Sequence, residues 1–173
     1  VNVLQTQDHP MFKTYAEELK WLTTDKVRMA WVAKTIKDIS TSGNTLILVD
    51  RISAGQILQE QLEDSVFVSG STKNVDRKEQ YDEVSTATNK IIIATYGVAS
   101  VGINIPRIFN LVLIEPGKSF VRVIQSIGRG IRKAEDKENV QIWDITSSCK
   151  FAKRHLGARK KFYKEANYPY NIE

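Results

Sequence analysis

Short apolar runs alternate with longer amphipathic stretches through the middle of the chain. Leu46-Ile47-Leu48-Val49, Val66-Phe67-Val68, Ile91-Ile92-Ile93-Ala94, Leu111-Val112-Leu113-Ile114 and Val140-Gln141-Ile142-Trp143 are the strand candidates. Most are continuous apolar runs, the pattern of strands buried on both faces of a parallel sheet. Residues 54–62, 75–87 and 120–132 between them carry helical spacing. Strands alternating with helices of this length predict right-handed crossovers and a doubly wound α/β layer. The first forty residues read as helix. Residues 10–22 place Phe12, Tyr15, Ala16 and Leu19 at helical spacing. A second helix over about 25–39, capped by Thr23 or Thr24, carries Val27, Ala30, Trp31, Lys34 and Ile36, and Ser42-Gly43-Asn44 ends it. This divides the chain into a helical lead-in (1–42), an α/β domain (43–147) and a basic C-terminal helix and tail (148–173).

At 173 residues the chain fits one ordinary domain, able to bury about 70% of its unfolded surface. No apolar run approaches the roughly 20 residues that cross a bilayer, so a membrane partner is not expected. The chain begins at Val1, as a piece of a longer protein would. A single cysteine, Cys149, leaves no internal disulfide and suits an intracellular, reducing compartment. His9 and His155 lie too far apart in sequence for metal-ligand spacing, and no structural metal is expected. The net charge of +5 is unevenly placed: residues 149–166 hold seven Lys/Arg and one acid, leaving the rest of the chain at −1. That asymmetry points to a polyanionic partner. Lys150, Lys153, Arg154, Lys161 and Lys164 share one helix face, while Phe151, Ala152, His155, Leu156 and Phe162 lean to another. The apolar side would dock on the sheet and the basic side would meet phosphates; a merely solvated surface helix is the plainer alternative.

Ligands of open α/β sheets bind beyond the carboxyl ends of the strands. Asp50-Arg51, Ser69-Gly70-Ser71, Thr95-Tyr96-Gly97 and Glu115-Pro116-Gly117 fall there. Gly117-Lys118-Ser119 fails as a phosphate loop. The glycine required five residues earlier is Val112, inside a strand, and Pro116 has no amide hydrogen to give. Asp82-Glu83 lies in a charged helical stretch, so a solvated face explains it better than a magnesium pair. Residues 94–106 end a buried strand at Thr95, then offer Gly97 and Gly102 for close backbone approach and Asn104 as donor and acceptor; an ordinary turn-rich loop has the same composition. Arg129 and Arg132 are three residues apart on a helix, so both guanidiniums can converge on one anion with bidentate geometry. Alone, the pair also fits a solvated basic helix end. Trp21, Trp31 and Trp143 could stack bases, but core packing or domain docking is the simpler role.

Taken in order, Thr95, then Gly102-Ile103-Asn104-Ile105-Pro106, a strand, a helix, and Gln125-x-x-Gly128-Arg129-x-x-Arg132 resemble motifs V and VI of superfamily-2 helicases. Residues 45–62 resemble the motif IV strand and helix, and residues 70–77 the Gly-to-Arg segment opening the next helix. The resemblance implies a three-layer RecA-like domain with a mainly parallel sheet, the second of two motor domains. ATP and Mg²⁺ would then bind mainly on a first RecA-like domain. Arg129 and Arg132 would act as arginine fingers, with Gln125, Gly128, Gly102 and Asn104 against the nucleotide. Thr95, Gly70, Ser71 and Arg51, with Lys150, Lys153, Arg154 and Lys161, would meet nucleic acid. Many relatives carry Asp where Asn104 stands, so only hydrogen bonding carries over there. Residues 15–34 and 150–168 are further similar to the phage UvsW-type helicases, which implies work on branched DNA and RNA–DNA hybrids. A catalytically silent nucleic-acid-binding module and a duplex translocase that separates no strands remain alternatives.

Overall fold

The structure, a computed structural model, describes residues 1–68, 89–100, 108–117, 124, 140–166 and 168–173. In chain order these form β1 (Asn2–Thr6), α1 (Tyr15–Thr24), α2 (Lys26–Ser40), β2 (Thr45–Val49), α3 (Ile52–Gln61), β3 (Val66–Val68) and β4 (Ile91–Thr95). There follow α4 (Tyr96–Ser100), β5 (Asn110–Ile114), β6 (Gln141–Ser147), α5 (Lys150–Glu165) and β7 (Asn171–Ile172). The strands make one seven-stranded sheet in the order β3-β4-β2-β5-β6-β1-β7. Every pairing in it is parallel.

The central strands are buried on both sides because alternate side chains serve different cores. On one face Leu46, Leu48, Ile92, Ala94, Leu111 and Leu113 pack with Val98 and Ala99 of α4, Tyr163 of α5 and Ile124. On the other, Ile47, Val49, Ile91, Ile93, Val112 and Ile114 pack against α2 and α3 through Met29, Val32, Ile36, Ala54 and Leu58. The expected three-layer, mainly parallel RecA-like architecture is therefore present.

The first residues depart from expectation. Asn2–Thr6 is a strand, with Val3 paired to Asp144 and Leu4 to Ile145, and β7 adds beyond it. Both ends of the chain thus join the same sheet. Five residues carry too little periodicity to announce a strand; Val3 is fully buried, but Leu4 interrupts the alternation. The helix boundary also moves. α1 continues through Thr24, and Asp25 rather than a threonine caps α2, accepting from the Arg28 amide at 3.0 Å.

The expected break at residues 42–44 is a tight junction between α2 and β2. Asn44 is buried, its side-chain oxygen accepting from the Lys90 amide at 2.7 Å and its carbonyl from Phe109 and Asn110. Asn110 in turn donates to the Ile39 carbonyl and Ser42, and accepts from the Trp143 indole. Gly43 has φ +152°, and a Cβ there would lie 2.8 Å from Phe109 Cβ. Gly43→Ala is expected to lower stability by about 1–3 kcal/mol, through backbone strain and a clash together. A urea-unfolding midpoint equal to wild type would contradict this account of the junction.

Candidate nucleotide and nucleic-acid interface

β2 and β5 are neighbours, yet the chain leaves β2 toward β3 and β5 toward β6, on opposite sides. Such a switch in direction opens the crevice where α/β sheets bind ligands. Asp50 and Arg51 follow β2, with Arg51 Nε 3.6 Å from the Asp50 carboxylate and both side chains partly in solvent. At the end of β4, Thr95 accepts a hydrogen bond from the Val98 amide at 3.3 Å, so its half-buried hydroxyl caps α4. The segment after Thr95 is thus helical from Tyr96 rather than a loop. Tyr96 donates to the Ile114 carbonyl at 3.0 Å, tying the ends of β4 and β5 together.

Beyond β5 the edge is filled by buried charge. Glu115 takes φ +45° and pairs with Arg28 of α2. The same guanidinium donates to the Leu22 carbonyl, to Thr6 and to the Thr146 carbonyl, and Thr146 donates to Glu115. One side chain therefore joins α1, α2, β1, β5 and β6. A second pair lies beside it: Arg159 of α5 donates to both Asp144 oxygens, at 2.7 and 3.0 Å, and to the Pro116 carbonyl at 2.6 Å. Tyr163 donates to Asp144 at 2.8 Å. A third carboxylate, Glu18, accepts from the Phe151 and Ala152 amides at 2.9 and 3.0 Å. It caps α5, whose own N-cap residue, Cys149, makes no side-chain bond. Glu18, Glu115 and Asp144 are the buried acids among the described residues. Each accepts hydrogen bonds from protein partners.

Charge on α5 divides by face. Lys150, Lys153, Arg154, Lys161 and Lys164 are all exposed, within about 100° of arc at about 100° per residue. Ala152, Leu156 and Tyr163 are buried. Arg159 counts toward the charge of the basic segment but stands apart from the five-cation face. It is fully buried and neutralised by Asp144, so it adds nothing to the outer field. Spacing separates it, since Arg159 falls opposite the five exposed cations on the helical wheel. The tryptophans also resolve. Trp21 packs on Phe12 at 5.8 Å and beside the Leu22–Cys149–Ala152 cluster. Trp143 is half-buried and bonded to Asn110, and Trp31 is partly exposed with the Arg28 guanidinium 5.9 Å from its ring.

Arg51 and Thr95 thus lie together at the carboxyl ends of β2 and β4, which are adjacent. Lys150, Lys153, Arg154 and Lys161 lie on the exposed face of α5. Gly70, Ser71, Gly102, Asn104, Gln125, Gly128, Arg129 and Arg132 lie outside the described residues, as do the helix expected over 75–87, Asp82-Glu83 and Lys118. Ile124 of the helix expected over 120–132 is buried against the α4 side of the sheet.

The family described as "Helicase conserved C-terminal domain" matches residues 27–134. The chain belongs to this helicase C-terminal domain family. It is 30% identical over 161 residues to the "ATP-dependent DNA helicase uvsW" of enterobacteria phage T4, covering 90% of this chain and 32% of that protein. A "Putative helicase 22" of a Sulfolobus islandicus filamentous virus is 31% identical over 58% of this chain and 18% of its own length. The chain therefore spans about a third or less of these relatives. Among solved structures, T4 UvsW superposes with a TM-score of 0.84, at 23% identity over 99% of this chain and 40% of that one. The DEAD-box protein SrmB of E. coli superposes at 0.65, with 17% identity over 99% of this chain and 88% of that one. This is a helicase C-terminal domain of the UvsW type, and among its described residues no helix is long and apolar enough to cross a membrane.

Within the UvsW-type domain, burial pushes the Glu115 carboxyl from the usual 4.5 up to about 7, overcoming the opposing pull of Arg28. The folded state then holds a proton that the unfolded state has released between these values. Its contribution is intact below about pH 4.5 and is lost as pH rises toward 7. Glu115→Gln should flatten the fall in folding stability between pH 5 and 8; unfolding curves of wild type and variant with the same pH slope would contradict it.

Proposed function

We propose that this chain is the second motor domain of an ATP-dependent DNA helicase that remodels branched DNA. Its reactions would be fork regression, Holliday-junction branch migration and unwinding of RNA–DNA hybrids, inside a phage-infected bacterial cell. The reading is carried by one observation: Thr95, Gly102, Asn104, Gln125, Gly128, Arg129 and Arg132 keep helicase motif order in a chain of that family. The relationship to an ATP-dependent DNA helicase of phage T4 supports the substrate class.

ATP supplies the phosphoryl group whose transfer drives the motor, and a first RecA-like domain would carry its phosphate loop and Mg²⁺. This chain's own part is positioning and charge. Phosphoryl transfer depends mainly on holding the reacting groups and neutralising developing charge. Arg129 and Arg132 would meet the γ-phosphate across the cleft, with Gln125, Gly128, Gly102 and Asn104 against the nucleotide. Because the fingers come from a separate domain, closure of the cleft and hydrolysis become one event. Thr95, Arg51, Gly70 and Ser71 would hold a strand at the carboxyl edge, and the exposed cations of α5 would meet the phosphates that follow. The chain alone would then hydrolyse nothing.

Arg129→Ala or Arg132→Ala, in the protein that joins this domain to a first motor domain, should lower ATP turnover by about 10³-fold or more. Nucleotide affinity should fall far less. Turnover like wild type in either variant would refute the finger assignment.

A further inference from the structure

Tyr15 opens α1 at the point where α1, α5 and the loop after β5 meet. Its ring centroid lies 5.9 Å from that of Phe151 and 5.0 Å from that of His155, edge-on to the imidazole. A Cβ added to Gly117 would lie 3.5 Å from its hydroxyl, which places the cluster at the carboxyl edge of the sheet. Cations border it on the α5 side: Lys150 Nζ is 5.4 Å from the Phe151 ring and the Arg154 guanidinium 5.7 Å.

Tyr15 extends a contact of α1 with α5 that is anchored elsewhere. That contact is made by Glu18, which caps α5, and by Leu22 against Cys149 and Ala152. Tyr15 stands at its outer end and keeps 38% of its surface in solvent. A large aromatic left at a wet edge, with cations over the neighbouring Phe151 ring, combines the two features of sequence-tolerant single-strand binding. Rings take base faces and cations take the phosphates between them. The phosphate path has a direction as well. Burial first, and then the carboxylates Asp50, Glu115 and Glu18, push the Tyr15 phenol up, whereas Lys153, Lys161 and Lys164 extend positive charge along α5. A strand stacked on Tyr15 would run along the outer face of α5, away from these carboxylates. A closed duplex keeps its base faces stacked inside, so only a single strand or a splayed base can use the rings.

We propose that Tyr15, Phe151 and His155, with Lys150 and Arg154, form a stacking platform for a base of a single-stranded nucleic acid. The proposal rests on the nucleic-acid-binding reading above and names a contact surface that the helicase motifs do not include.

The test compares binding of the 173-residue chain to fluorescent oligo-dT and to the same oligomer with abasic sites, which has equal charge. Wild type should bind the base-bearing strand about tenfold more tightly. Tyr15→Leu, which keeps apolar packing, should abolish that preference without changing abasic affinity, and Tyr15→Phe should retain it. Phe151→Leu supplies a second variant if Tyr15→Leu melts early. Equal losses on both oligomers, or no loss on either, would overturn the platform. Lys153→Glu with Lys161→Glu should weaken both oligomers alike and reduce the salt slope; no effect there would overturn the underlying nucleic-acid reading, whatever Tyr15 does.

Discussion

The buried pair of Asp144 and Arg159 fixes how the parts of this domain meet. A charge inside a protein is costly unless its partner geometry is good and its remaining hydrogen-bonding capacity is filled. Here the guanidinium is bidentate to Asp144 and gives a further donor to the Pro116 carbonyl, while Tyr163 adds a hydroxyl to the carboxylate. Removing one member of such a pair typically costs about 3–5 kcal/mol, because the other is left buried and uncompensated. The pair therefore sets α5 in one orientation on β6 and anchors the loop after β5 to the same point. Arg28 and Glu115 do the equivalent for α2, and Glu18 for the first turn of α5.

That arrangement divides the carboxyl edge of the sheet. From β5 to β1 the protein fills the edge with its own polar groups: Arg28, Glu115, Thr146 and Thr6 bond one another. At β2 and β4, Asp50, Arg51 and Thr95 retain contact with solvent. The outer face of α5 presents its lysines to solvent because Arg159 holds the helix on β6 by its inner face. A structural ion pair and a binding surface thus occupy opposite sides of one helix.

The sheet was legible because its central strands are continuous apolar runs bounded by turns, and all five expected strands are present. The basic face of α5 was legible from spacing. β1 was not, since a five-residue strand owes its form to pairing with β6 rather than to its own pattern. Arg159 adds to the basic composition of the segment while spacing keeps it off the exposed face, but its pairing with Asp144 has no local signal. Glu18 as a cap for α5 lies 133 residues from the amide it accepts from, beyond any local signal. Thr95 was read correctly as the end of a strand, but its bond to the Val98 amide begins a helix that glycine-rich composition concealed. The helicase family was legible from the order of its motif residues.

The central claim is that this domain completes a motor whose nucleotide is held elsewhere. The most direct measurement is ATP turnover, with and without DNA, by this chain alone and by the protein joining it to a first RecA-like domain. The account predicts no turnover by the chain alone, and turnover by the joined protein that rises with DNA. Hydrolysis by the isolated chain, or none by the joined protein in the presence of DNA, would contradict it.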